Sequence, residues 1–125
     1  MSERQEQELL GKLTQWGCDV SGALQRVLGS KELYCLLLQS IPQDKAFDAL
    51  DTALRERDVR AAFEQAHSLK GVLGNMGLTP MYRECCDMVE PLRSGTLDGV
   101  AAHYETFRRQ RETLVEILGG AADNL

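Results

Sequence analysis

His67 and Lys70 are the residues whose types and spacing are best suited to chemistry in this chain of 125 residues, which has only 2 histidines. A neutral imidazole nitrogen is a nucleophile near neutral pH, and a lysine three residues later on a helix lies one turn away. An ammonium group at that position stabilises a dianionic phosphoryl group through charge-assisted hydrogen bonds. The pair therefore predicts a histidine that accepts a phosphoryl group.

The segment from Asp58 to about Met76 is predicted to form the helix that carries this pair. With an advance of ~100° per residue, the apolar residues gather on one side and His67 lies on the opposite side. The predicted core stripe comprises Ala62, Leu69, Leu73 and Met76. The predicted outer face comprises Arg60, His67, Lys70, Gly71 and Gly74, with Phe63 on its flank. We expect the imidazole to point away from the core, with Arg60 and Lys70 making its neighbourhood basic.

Gly71 and Gly74 need an explanation, because each glycine inside a helix costs about 1 kcal/mol relative to alanine. Both lie on the predicted outer face rather than on the core stripe. We interpret them as positions that keep the imidazole reachable and the surface flat enough for another protein to approach. An ordinary surface histidine beside an ordinary lysine is the alternative, and the two glycines count against it.

The segment from His67 to Leu78, with the sequence HSLKGVLGNMGL, closely resembles the motif of histidine phosphotransfer (HPt) domains, which serve multistep two-component phosphorelays. The family pattern is a histidine, a variable residue, an apolar residue, lysine, glycine, and then small residues with a further glycine. It is met at His67, Leu69, Lys70, Gly71, Gly74 and Gly77. Leu73 departs from the pattern, because a small residue is common there. The resemblance covers roughly Gly17 to Leu118.

This resemblance implies that His67 is phosphorylated on its Nε2 atom and that Lys70 helps to hold the phosphoryl group. The group would come from an aspartyl phosphate on one receiver domain and pass to the aspartate of another. The implied partners are response-regulator receiver domains and a hybrid histidine kinase. The implied docking residues are Arg60, Phe63, Glu64, Gly71 and Gly74. No cofactor is expected in the chain itself, because the receiver would supply Mg²⁺ and no carboxylate cluster here suits that ion.

Other functions are less well supported by the residues. A self-phosphorylating kinase is not expected, because the chain has no Gly-rich ATP-binding segment and His67 is not followed by an acid and a proline. A di-iron bundle is disfavoured, since Glu64-x-x-His67 has no second copy: His103 has Val100 three residues earlier. We expect His103 to be a partly exposed residue without a role. A helical adaptor that binds proteins without phosphotransfer is the main alternative.

The four cysteines are Cys18, Cys35, Cys85 and Cys86. We expect reduced thiols, mostly buried, because no secretion signal accompanies them and adjacent cysteines point to different sides of a helix. Zinc is disfavoured, because the sequence contains no C-x-x-C pair. The sequence therefore predicts no metal site.

Composition excludes several further classes of protein. With 14 Lys+Arg against 19 Asp+Glu, the net charge of −5 lacks the basic footprint of a nucleic-acid-binding protein. The longest apolar run is the three leucines 36–38, whereas a membrane helix needs ~20 apolar residues. The polar N-terminus has no apolar signal region, so we expect a cytoplasmic protein. We also expect a monomer, because the bundle buries the apolar face of each long helix, and the starting Met1 and the end near Leu125 favour a free-standing protein.

The apolar spacing is helical almost throughout, which predicts an all-α fold. We expect a single domain of residues 1–125: an antiparallel up-and-down four-helix bundle at 30–119, with one or two additional N-terminal helices at 1–28 packed on it. Pro42 should break the helix that follows Ser30, whose predicted apolar stripe is Leu33, Leu36, Leu37 and Ile41. Two helices are predicted at 3–16 and 20–28, and another resumes after Pro42 and runs through Leu54. A further helix is predicted at 79–93, capped by Thr79 and kinked near its end by Pro91. The last helix is predicted from Thr96 or Asp98 to Gly119.

Overall fold

A computed structural model describes the backbone of residues 1–123 and the side chains of residues 1–119. In this range the chain forms α-helices and no strand, which confirms the predicted all-α class. The helices are α1 (Glu3–Trp16), α2 (Val20–Arg26), α3 (Lys31–Ser40), α4 (Lys45–Arg55), α5 (Val59–Asn75), α6 (Thr79–Arg93) and α7 (Val100–Asp123). A 3₁₀ turn at Ile41–Gln43 separates α3 from α4, so the break predicted at Pro42 is confirmed.

Side-chain oxygen atoms cap the start of five helices by accepting a hydrogen bond from a backbone N–H of the first turn. The capping residues are Ser2, Asp19, Ser30, Asp44 and Asp58. Ser2 and Gln5 also form a reciprocal capping box at α1. These short polar residues fix where each of the five helices begins.

Helices α4 to α7 form the bundle, in which each helix packs on the next one in sequence. The bundle closes between α4 and α7 through the stacked rings of Phe47 and Phe107, whose centroids lie 5.6 Å apart. The Tyr104 hydroxyl adds a 2.6 Å hydrogen bond to Asp51 across the same pair of helices. Helix α1 packs on α7, and α2 and α3 pack against α1, so additional N-terminal helices cover the bundle as predicted.

Three long-range hydrogen bonds attach the N-terminal helices to the end of α5. The Arg26 Nη1 donates to the Asn75 carbonyl at 2.9 Å, and the buried Tyr34 hydroxyl donates to the Met76 carbonyl at 2.7 Å. The Asp19 N–H donates to the Gly77 carbonyl at 2.8 Å. These donors satisfy carbonyl groups that the end of a helix leaves without partners.

The predicted apolar stripe of α3 is wrong at Leu33, Leu36 and Leu37, which are exposed. The buried residues of this helix are Tyr34, Cys35 and Leu38, and Ile41 follows them into the core. Two overlapping sets of residues have helical spacing here, and periodicity alone does not choose between them. The hydrogen bond from Tyr34 to Met76 sets the rotation, which leaves Leu36 68% exposed.

Several predicted helix ends also differ from the structure. Helix α2 stops at Arg26, because Leu28 and Gly29 have positive φ angles of 55° and 78°. Thr79 is the first residue of α6 rather than its cap, and α6 continues through Pro91. Helix α7 begins only at Val100 and runs past Gly119 to Asp123. No described helix combines the length and the hydropathy that crossing a membrane requires.

Candidate functional site

The imidazole of His67 is exposed on the outer face of α5. The opposite face of this helix is buried at Ala62, Ala66, Leu69 and Leu73. The Asp58 cap fixes the start of α5, and Gly77 ends it with a φ angle of 69°. The predicted outward orientation of His67 therefore follows from the apolar stripe behind it, and Leu73 points inwards as expected.

An open groove of about 540 Å³ runs beside His67 where α5 meets the start of α6 and the N-terminal helices. It brings together four of the predicted site residues, His67, Lys70, Gly71 and Gly74. The other side chains at its edge include Asp19, Arg26, Thr79 and Tyr82. Among the groove residues in the described chain, Asp19 is the one carboxylate, so the groove offers no carboxylate cluster for a cation.

Gly71 and Gly74 have different surroundings. A Cβ atom at Gly71 would meet no atom of the described residues within 4 Å, so this position leaves open space beside the imidazole. A Cβ atom at Gly74 would lie 3.0 Å from the ring of Tyr82 on α6. The interpretation of Gly74 as an open surface position is therefore wrong: its missing side chain lets α6 place Tyr82 closely against α5.

The ring of Phe63 lies next to the His67 imidazole, one turn earlier on α5. Their centroids are 5.6 Å apart and their planes are inclined by 33°. The guanidinium of Arg93, at the end of α6, lies 5.2 Å from the centre of the Phe63 ring, within the range of a cation–π contact. Phe63, Arg60 and Arg93 border a separate depression of about 330 Å³, so the predicted docking residues do not all share one groove.

The charged side chains around His67 include one ion pair within α5. Arg60 lies 3.6 Å from Glu64, and the two side chains are 91% and 59% exposed. Both side chains stay hydrated, so this ion pair is weak, and the contribution of Arg60 to a basic neighbourhood stays a prediction. Lys70 forms no ion pair with any described residue, and Arg26 also borders the groove. Among the described residues that line the groove beside the imidazole, Lys70 and Arg26 are the basic ones.

All four cysteines carry free thiols, and Cys18, Cys35 and Cys85 are buried. Burial raises the pKa of the Cys18 thiol to about 11 and that of the Cys85 thiol to about 12. Because the thiolate is the reactive form, these side chains act as small apolar residues of the core. Cys86 is partly exposed, and its contact with Tyr82 raises the pKa of that phenol.

Comparison with known proteins identifies a family for the chain. The Hpt domain family matches residues 32–119, which is more than two thirds of the sequence. No curated protein and no solved structure gives a significant match. The chain belongs to the Hpt domain family, whose members carry phosphoryl groups on histidine in two-component systems and have no kinase activity of their own.

Sequence reasoning missed four residues that surround the predicted site: Asp19, Arg26, Tyr82 and Arg93. A signal for the last two was present in the antiparallel pairing of α5 and α6 about Leu78. Gly74 and Tyr82 are equidistant from Leu78 in sequence, and so are Phe63 and Arg93. Asp19 and Arg26 depend on how α2 packs, and their local sequence gives no comparable signal.

Proposed function

We propose that this protein accepts a phosphoryl group on His67 from an aspartyl phosphate of a receiver domain and passes it to the aspartate of another response regulator. One observation carries the proposal: an exposed imidazole shares an open groove with Lys70, which pairs with none of the described acids, and with Gly71, whose missing side chain leaves the approach open. The groove is open to solvent rather than enclosed like a small-molecule pocket, which is compatible with the approach of a protein domain. This arrangement suits transfer between two proteins.

The proposed reaction needs little from the chain beyond position and charge. A neutral imidazole nitrogen attacks the phosphorus atom, the P–N bond forms, and the P–O bond to the aspartate breaks with its electron pair leaving on the carboxylate. Lys70 stabilises the negative charge of the group in transit by charge-assisted hydrogen bonds. We expect the receiver to bring the Mg²⁺ ion, since Asp19 alone does not make a magnesium site.

Phosphotransfer from a purified receiver tests the proposal directly. The receiver is loaded with labelled phosphate, mixed with the protein, and removed before label on the protein is counted. We expect acid-labile, alkali-stable label on the wild type, no label on His67→Gln and wild-type label on His103→Gln, the matched control. Equal label on both variants would contradict the assignment of His67. Binding of receivers without any transfer would favour the adaptor function instead.

Gly71→Leu tests whether access to the imidazole matters. Its Cβ would meet none of the described atoms within 4 Å, so we expect the fold to be unchanged while the receiver is obstructed. We expect transfer to slow by at least about tenfold, which corresponds to ~1.4 kcal/mol in the barrier. Circular dichroism checks that the helical content is intact. Wild-type transfer by a folded Gly71→Leu protein would contradict this account of the glycine.

A further inference from the structure

A second histidine-containing cluster lies away from the groove, between α6 and α7. Glu84 and Asp87 are one turn apart on α6, and His103 faces them from α7. The His103 Nδ1 atom lies 2.7 Å from Glu84 Oε2 and 3.8 Å from Asp87 Oδ2. One nitrogen and two carboxylate oxygens, all within 4.8 Å of one another, therefore converge from two helices.

The charges in this cluster are not balanced by any basic residue. Within the described chain, neither Glu84 nor Asp87 pairs with a lysine or an arginine, and His103 is the partner of both. The side chain of Glu84 is only 20% exposed, and a carboxylate that has lost so much water needs a strong partner. Two negative charges beside one imidazole leave a surplus that a divalent cation would neutralise.

We propose that Glu84, Asp87 and His103 bind a divalent transition-metal ion, with Zn²⁺ preferred, and thereby link α6 to α7. An imidazole with carboxylates suits Zn²⁺, whereas Mg²⁺ and Ca²⁺ take oxygen ligands alone. Water completes the coordination on the exposed side. The site is separate from His67 and does not depend on the proposed phosphotransfer.

Small movements of the three side chains create the required geometry. Ligand atoms about 2.0–2.2 Å from Zn²⁺ in a tetrahedral arrangement lie about 3.3 Å from one another. The His103–Glu84 separation of 2.7 Å must then open by roughly 0.6 Å, and the His103–Asp87 separation of 3.8 Å must close by roughly 0.5 Å. His103 and Asp87 are 40% and 58% exposed, so both have room to rotate. Without metal, the imidazole and Glu84 simply share a hydrogen bond.

Zinc titration of untagged protein by calorimetry tests the proposal, with ZnCl₂ as the probe in a buffer that does not chelate metals. We expect one equivalent to bind to the wild type and to His67→Gln with the same affinity. His103→Gln and Asp87→Asn should each weaken binding at least about tenfold. Cys86→Ser should bind like the wild type, since that thiol lies outside the cluster. Thermal unfolding without metal checks that each variant is folded.

Three outcomes would overturn the proposal. Binding that survives in a folded His103→Gln protein would remove the imidazole from the site. Binding lost in His67→Gln or Cys86→Ser would place the metal at another position. Equal affinity for Mg²⁺ and Zn²⁺ would indicate attraction to carboxylates alone. Because the readout is metal binding, failure of phosphotransfer would leave this result unaffected, and the reverse also holds.

Discussion

At the scale of single residues, Gly71 and Gly74 have different structural roles although they lie on the same face of α5. Gly71 leaves open space beside the imidazole, whereas Gly74 supports the ring of Tyr82 from the next helix. A flat surface and a close helix–helix contact both favour glycine, and the helical wheel does not tell them apart. The distinction depends on which residue of α6 lies opposite each position.

Alanine substitutions separate these two roles by stability. Gly71→Ala should raise the free energy of unfolding by about 0.5–1 kcal/mol, because alanine is the better helix former and its Cβ meets nothing. The free energy of unfolding of Gly74→Ala should be lower than that of Gly71→Ala by about 1 kcal/mol or more. The new Cβ at position 74 would lie 3.0 Å from the ring of Tyr82, which must then move. Urea denaturation measures both. Equal stabilisation by the two substitutions would show that Tyr82 does not constrain Gly74.

At the scale of elements, the end of α5 is the point where three parts of the chain meet. Gly77 adopts a φ angle of 69°, and a Cβ there would overlap the backbone carbonyl oxygen of Asp19. The same pair is joined by the hydrogen bond from Asp19 to Gly77, so the absence of a side chain lets α2 approach. The end of the helix that carries His67 is thus also the attachment point of the N-terminal segment.

Gly77→Ala should therefore lower the free energy of unfolding by more than an ordinary glycine substitution in a left-handed turn does. We expect the free energy of unfolding to fall by at least about 2 kcal/mol. The backbone strain contributes about 1 kcal/mol, and the overlap of the new Cβ with Asp19 adds to it. Gly99→Ala is the matched control: its φ angle is 76°, but its Cβ would meet nothing within 4 Å. Thermal and urea unfolding compare the two. A Gly77→Ala loss no larger than that of Gly99→Ala would exclude the close approach as the cause.

The elements themselves could be predicted because their signals are local. The Ser30 and Asp58 caps, the Pro42 break and the left-handed Gly77 each depend on a few neighbouring residues. The apolar stripe of α5 likewise indicated that His67 faces outwards. The rotation of α3 could not be predicted, because the contact that sets it joins Tyr34 to a carbonyl 42 residues away. The positions of Arg26 and Asp19 at the edge of the groove could not be predicted for the same reason, because they depend on contacts between residues that are distant in sequence.

At the scale of the whole molecule, the bundle is closed by a polar contact as well as by apolar packing. The Tyr104 hydroxyl donates to Asp51, and Arg55 pairs with the same carboxylate. These hydrogen bonds lower the pKa of Asp51, with Tyr104 as the larger cause. Burial, together with the bond to Asp51, raises the pKa of the Tyr104 phenol. The contact therefore contributes stability while Asp51 is ionised.

The pH dependence of unfolding should reveal this contact. Because the folded state lowers the pKa of Asp51, its contribution is complete above the ordinary aspartate pKa of about 4 and is lost as the pH falls through the lower folded value. Tyr104→Phe should cost about 1–2 kcal/mol at pH 7, and its difference from the wild type should shrink below about pH 4. Urea unfolding at several pH values measures this. A difference that is unchanged at low pH, or that is equally large in an Asp51→Ala background without the acceptor, would contradict the account.

The groove beside His67 is built from two parts of the chain, the family-matched region and the N-terminal helices that precede it. The family match begins at residue 32 and includes His67 and Lys70, but Asp19 and Arg26 lie before it. A chain shortened to the matched residues would keep the nucleophile and lose one wall of its groove, together with the donors to Asn75 and Gly77. Exchanging the first 31 residues between relatives would thus change the shape that a partner meets while leaving the reacting atoms in place.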